Sequence, residues 1–197
     1  MKLRYSAASP FARKARIVAL ETGQDGEIES IETMVWDPET DIAKVNPLGK
    51  VPTLTTDDGL DLCDSPLICE YLDSRHDGAR LIPPAGPERW KVLNLQALGD
   101  GIMDAAVAQM AERRTHPPEA QSEAWMARQQ GKIAAALDSL EQAASAGRLD
   151  GPVTPGTITL GTITLGCALG YLDFRFAETS WREGRPAMVA TEPKDPT

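Results

Sequence analysis

The sequence predicts an α/β domain followed by an all-helical one. Three observations predict it. Up to about residue 65, short apolar-alternating stretches are interleaved with helical ones. Residues 77–87 then collect Gly78, Pro83, Pro84, Gly86 and Pro87, the clearest break in the chain. Beyond that break the apolar spacing is wholly helical. A chain of 197 residues is long enough to bury a real core and to divide in two.

In order, Lys2–Ser6 reads as a first strand. Ser9-Pro10 opens a helix to about Glu21, with Ser9 as N-cap and Pro10 in the first turn. Phe11, Ala15, Val18 and Thr22 share one face of it, and Thr22-Gly23 ends it. Glu27–Met34 is a weaker second strand, Trp36-Asp37-Pro38 a loop, and Glu39–Val45 a short helix. Asn46-Pro47 and Leu48-Gly49 are turn chemistry. Val51–Thr56 has strand character, Asp58-Gly59 is a hairpin dipeptide, and Leu60 and Leu62 flank Asp61 as in a half-buried strand. Asp64-Ser65-Pro66 then starts a helix to about His76 with Leu67, Ile68, Tyr71 and Leu72 inward. After the break, helices are expected over Glu88–Arg114, Glu119–Ala146 and Leu160–Phe176. The first carries Trp90, Leu93, Leu95, Leu98, Ile102 and Met103; the second carries Ile133, Leu137, Leu140 and Ala144 at helical spacing. Gly147–Gly156 reads as a loop. The direct repeat Gly-Thr-Ile-Thr-Leu at 156–165 has strand propensity but is assigned to a helix entry.

The stretch from Asn46 to Ser65 carries more than folding chemistry. A proline at the strand entry, Pro52, removes a ladder donor and marks an edge or a cis turn. It pushes Val51 to extended geometry, where its N–H and C=O can pair with an extended peptide. Asp64-Ser65 places a hydroxyl and backbone N–H groups at a helix start, a natural carboxylate site, and Lys50 adds a positive charge. Two readings fit these residues: a plain hairpin with a capped helix, or a cradle for a short peptide bearing carboxylates.

Bulk properties narrow the function classes. The apolar fraction of 42% and charged fraction of 25% are those of an ordinary globular protein. A formal net charge of −9 argues against a nucleic-acid surface. No apolar run approaches a membrane span, and Met1-Lys2-Leu3-Arg4-Tyr5 enters a strand with no signal-peptide core, so a cytoplasmic protein is expected. Cys63, Cys69 and Cys167 have no metal or Cys-x-x-Cys spacing and are expected to be buried and reduced. His76 and His116 are isolated and expected at the surface.

The order of these features, from strand through Ser-Pro helix start and Val-Pro hairpin to Asp-Ser helix, resembles the thioredoxin-like N-terminal domain of the glutathione S-transferase family. The helical half with Gly170-Tyr171-Leu172-Asp173-Phe174-Arg175 resembles that family's C-terminal domain. The resemblance covers nearly the whole chain. It implies domains at 1–78 and 87–197 joined by 79–86, glutathione as co-substrate, no metal, and a cytoplasmic homodimer engaged in detoxification. It implies that Ser9 donates a hydrogen bond to the glutathione sulfur and favours thiolate over thiol, with Ser6 and Tyr5 as nearby substitutes for the role. Lys50 would meet the glycine carboxylate, the Val51 backbone the cysteinyl unit, Pro52 would be the cis-proline, and Asp64 and Ser65 would hold the γ-glutamyl end. Phe11, Met103 and Val107 would bound a small apolar electrophile. Intact Lys50, Val51-Pro52 and Asp64-Ser65 favour glutathione binding over a non-enzymatic interaction module. A glutathione-dependent reductase or isomerase remains open, although no cysteine stands at the first helix start.

Two departures from the family are visible. Its helices often begin with a Ser/Thr-x-x-Asp box; here Thr162 stands three residues after Thr159, predicting an incomplete, weaker cap. After Trp181 a further family helix is expected to be missing, since Arg185-Pro186 follows almost at once.

Overall fold

The structure is a computed structural model and describes residues 1–149 and 158–190. The chain divides into two compact units, Met1–Leu93 and Asn94–Thr197. In the first, β1 (Lys2–Tyr5), α1 (Pro10–Glu21), β2 (Glu29–Glu32), β3 (Thr53–Thr55), β4 (Asp61–Cys63) and α2 (Ser65–Ser74) follow one another. They build one four-stranded sheet in the order β2-β1-β3-β4. β1 runs parallel to β2 and antiparallel to β3, with Arg4 opposite Thr53; β3 runs antiparallel to β4, with Thr53 opposite Cys63.

The expected helical faces match the core of this unit in part. Ala15 and Val18 of α1 and Ile68 and Leu72 of α2 are buried, joined by Ala12, Ala19 and Cys69, whereas Phe11, Thr22 and Tyr71 are half-buried; the two helices pack together. Leu3, Leu54 and Leu62 supply the sheet's share. Gly59 turns the β3–β4 hairpin at φ +87°, a conformation that glycine adopts without a Cβ clash.

Several local expectations change. The helix expected over residues 39–45 is only a 3₁₀ turn, Ile42–Lys44. Asp41 just before it is taken by Arg4 through bonds of 2.6 and 3.0 Å, which tie the segment to β1. Leu67, expected inward, is 48% exposed, because Ile68, Cys69 and Leu72 already fill the inner face of α2. His76 is half-buried rather than on the surface: its Nε2 lies 3.3 Å from Asp73, whose carboxylate also accepts the N–H groups of Leu81 (2.7 Å) and Ile82 (3.2 Å). Cys63 is half-buried, whereas Cys69 and Cys167 are buried; none of the three is in a disulfide.

α3 (Gly86–Thr115) begins inside the first unit. Arg89 reaches Glu70 at 2.8 Å and the Pro83 carbonyl at 3.3 Å, which ties the first turn of α3 to the first unit. Trp90, on the same turn, is 68% exposed.

The second unit contains most of α3, then α4 (Glu123–Ser145), α5 (Leu160–Arg175) and α6 (Pro186–Val189). α4 starts later than expected: Pro118–Ala120 forms a 3₁₀ turn and Ser122 is the cap, accepting the Trp125 N–H at 3.3 Å. α5 is buried nearly all round, which is why a β-prone Thr/Ile sequence is helical there. The first two residues of the 156–165 repeat, and most of the expected 147–156 loop, lie outside the described residues. Gly99 of α3 lets α5 approach: a Cβ would sit 2.9 Å from Cγ2 of Thr164.

The cap of α5 is complete. The Thr162 N–H donates to Thr159 Oγ1 at 3.2 Å, and the Thr159 N–H donates to Thr162 Oγ1 at 2.9 Å. The box needs only an oxygen acceptor at its third helical position, so threonine serves. In the tail, where a helix is expected to be missing, the one-turn α6 stands instead. Glu141 of α4 accepts the N–H groups of Ala187 (3.0 Å) and Met188 (2.8 Å), satisfying donors at the start of so short a helix.

Asp173 near the end of α5 accepts from the Trp181 indole (2.9 Å) and from both Arg182 guanidinium nitrogens (2.7 and 2.9 Å). The Arg182 hydrogen bond chiefly holds this carboxyl below its usual value, against some burial. A carboxyl depressed on folding adds stability above its unfolded pKa of about 3.9 and loses it as pH falls through the lower folded value. Asp173→Asn should therefore be less stable than the parent by about 1 kcal/mol or less near neutral pH, with the gap closing below about pH 4. Thermal melts across that range read the difference; a gap that widens on acidification contradicts it.

Candidate functional site

Register explains how three segments distant in sequence meet. Arg4, Thr53 and Cys63 lie abreast in neighbouring strands. Just beyond this row the chain leaves β1 after Tyr5 toward Ser9, enters β3 from Val51-Pro52 and leaves β4 into Asp64-Ser65. All three segments therefore emerge at one end of the sheet.

At the end of β1, Ser9 is the N-cap of α1. Its Oγ accepts the Ala12 N–H at 3.2 Å, and its own N–H donates to the Ser6 carbonyl at 3.0 Å. The residue is half-buried, and accepting from Ala12 leaves the hydroxyl proton available to donate. Tyr5 is occupied differently: the Arg16 guanidinium lies 4.8 Å over its ring. Phe11, in the first turn of α1, is half-buried.

Before β3, the Val51–Pro52 bond is cis. Val51 lies outside the strand ladder, which begins at Thr53. Lys50 is exposed, but its carbonyl is fixed: Asn46 Nδ2 donates to it at 2.9 Å and Thr53 Oγ1 at 3.0 Å. Asn46 also donates to Thr53 Oγ1 (3.1 Å) and accepts the Leu48 N–H (3.0 Å). Asn46 and Thr53 are missing from the sequence-derived set. The signal for Asn46 was present, since an Asn before Pro often bonds its own backbone two residues on.

After β4, Asp64 has φ 130° and ψ 165°, the one non-glycine positive φ among the described residues. This turn brings its carboxylate back onto the Ser65 N–H at 2.6 Å, capping α2. Asp64 itself is exposed. Ser65 is fully buried, and its Oγ has no hydrogen-bond partner. A buried hydroxyl left unpaired costs free energy, so it is a feature that folding alone does not explain. The Ser65 N–H, expected to be open, is already held by Asp64; the hydroxyl is the donor that remains. Cys63, just before Asp64, has its thiol pushed up by burial and by the charges of Asp61 and Asp64, which suppresses thiolate there.

Ser9, Lys50, Val51, Pro52, Asp64 and Ser65 thus all belong to the first unit, at one end of its sheet, and Phe11 belongs to the same unit. Met103 and Val107 belong to the second. Met103 is fully buried and packs as core, while Val107 keeps part of its surface. Among the described residues, no group of three or more His, Cys, Asp or Glu side chains could hold a metal ion, and no helix is long and apolar enough to cross a membrane.

Residues 8–75 match the glutathione S-transferase N-terminal domain family, and residues 123–190 its C-terminal domain family. A curated relative, the uncharacterized GST-like protein YibF of Escherichia coli strain K12, is 39% identical over 189 residues, which span 96% of this chain and 90% of YibF. A solved glutathione transferase family member from Pseudomonas fluorescens Pf-5, holding S-(propanoic acid)-glutathione, is 39% identical with a TM-score of 0.84, covering 96% of this chain and 91% of that one. A glutathione S-transferase from Methylobacillus flagellatus KT with glutathione bound is 37% identical with a TM-score of 0.86, covering 96% and 91%.

Proposed function

Because this chain belongs to the glutathione S-transferase family, we propose that it binds glutathione at that end of the first unit's sheet and uses the thiolate to attack a small apolar electrophile. The observation that carries the reading is the buried, unpartnered hydroxyl of Ser65 beside the strained Asp64. A ligand α-carboxylate supplies the missing acceptor, and the exposed Asp64 carboxylate suits the neighbouring ammonium group. The reading requires that one of the staggered wells of this side chain turn the hydroxyl to the ligand.

The remaining roles follow from the same end of the sheet. The Val51 backbone pairs with the cysteinyl unit, and the exposed Lys50 ammonium meets the glycine carboxylate. Ser9 donates to the sulfur. A free thiol of pKa about 8.5 is mostly protonated at neutral pH, and each unit by which the hydroxyl and the helix N-terminus lower it corresponds to about 1.4 kcal/mol. The thiolate is the nucleophile; Ser9 remains a hydrogen-bond donor throughout. Phe11, two residues past Ser9, supplies apolar surface for the electrophile. Glutathione bound in the Methylobacillus relative and a glutathione thioether in the Pseudomonas relative support this chemistry. A cytoplasmic homodimer acting in detoxification belongs to the same proposal and rests on family membership alone.

Calorimetric titration with glutathione, followed by transfer assays over a panel of electrophiles, tests the reading. Saturable binding in the micromolar-to-millimolar range common for enzyme substrates is expected, with turnover of at least one electrophile. Absence of binding sinks the site. Binding without turnover assigns the scaffold to a non-enzymatic binding role instead.

A further inference from the structure

We propose that Asn46 and Thr53 are positioning residues that aim the Val51 N–H at the ligand, an inference that rests on the glutathione reading above. The Lys50 carbonyl accepts two hydrogen bonds, from Asn46 Nδ2 at 2.9 Å and Thr53 Oγ1 at 3.0 Å. Both donors are buried side chains, 1% and 0% exposed, so the carbonyl points inward. The one cis bond among the described residues is Val51–Pro52, so the Lys50–Val51 peptide is trans. In a planar trans peptide the C=O and N–H point in opposite directions. Fixing the Lys50 carbonyl inward therefore fixes the Val51 N–H outward. Pro52 has no N–H, so Val51 supplies the backbone donor of this turn.

The direction matters for discrimination. If the Lys50–Val51 plane rotates, it presents a carbonyl where the ligand needs a donor, and two acceptors face each other. Thr53 cannot be replaced by valine without loss, although the two have nearly the same shape, because only the hydroxyl donates. The 3.1 Å bond from Asn46 to Thr53 makes the two side chains one unit, so each also holds the other in place.

The test compares two probes on the full-length protein. One is glutathione; the other is γ-glutamylmethylamide, which has the γ-glutamyl end but no cysteinyl carbonyl. Thr53→Val is expected to weaken glutathione about threefold to tenfold, the loss of one neutral hydrogen bond, and to leave the fragment's affinity unchanged. Asn46→Asp keeps an oxygen for the Leu48 N–H but removes the donor to Lys50, and should cost glutathione about tenfold, again sparing the fragment. Amide exchange supplies a measurement that needs no variant: the Val51 N–H should be unprotected in the free protein and protected by glutathione. Unchanged glutathione affinity in both variants, parallel loss of both probes, or a Val51 amide that glutathione does not protect overturns the proposal. If the wild type binds no glutathione, the parent reading falls too; if it binds while Val51 stays unprotected, only this inference falls.

Discussion

Ser65→Ala is expected to weaken glutathione binding about tenfold to a hundredfold, the worth of a hydrogen bond to a charged group, while leaving the thermal midpoint unchanged or slightly higher. These opposite signs come from one observation. The Ser65 hydroxyl is buried and unpartnered, so the free protein loses nothing by its removal and sheds an unsatisfied polar atom. The cap of α2 survives, because it is the Asp64 carboxylate that holds the Ser65 N–H. Calorimetry and a melt on the same sample check both halves. A stability loss with unchanged affinity would show that the hydroxyl serves the fold.

Ser9→Ala should lower the transfer rate near neutral pH about tenfold or more, with glutathione affinity changed little, because the proposed bond to sulfur is strongest in the thiolate. The deficit should close as pH rises beyond about 8.5, where a free thiol ionises unaided. Losing the N-cap also costs about 1 kcal/mol of stability, but that loss predicts no such pH dependence. Ser9→Thr, which keeps a hydroxyl and a capping oxygen, should retain most of the rate. Rates measured across pH for the three proteins decide; a deficit that is constant with pH would make Ser9 a cap and nothing more.

What the sequence made legible was chemistry that acts over a few residues. Ser9-Pro10, Asp58-Gly59 and Asp64-Ser65-Pro66 are local signals, and each stands where the dipeptides place it. Contacts that close across a fold were not legible. Asn46 reads as a turn residue, and only the folded loop brings its amide to Lys50 and Thr53. No sequence motif marks Asp73, yet it clamps the backbone of Leu81 and Ile82. The expected helix over 39–45 yielded to the tertiary pairing of Asp41 with Arg4. In α5 the reading of Thr162 as a deficient cap was too strict about side-chain type, since a hydroxyl met the same donor. For the proposed site, the seven candidate residues of the first unit come from pattern and resemblance. The unsatisfied Ser65 hydroxyl, on which the binding proposal rests, needed coordinates.

Asp64 carries a consequence for how this sequence can drift. At φ 130° and ψ 165° a residue with a Cβ is held at a cost of about 1–3 kcal/mol, and glycine would sit there with little penalty. Most substitutions in a protein destabilise, and relief of this strain is one of the few single changes that improves the fold. Glycine would forfeit the carboxylate's bond to the Ser65 N–H, but that costs only about a few tenths of a kcal/mol at an N-cap, so a lineage in which only folding mattered would still move toward glycine at this position. An aspartate retained there would mark continued demand for its carboxylate, which makes position 64 a sensitive place to tell working relatives from ones that have kept only the scaffold.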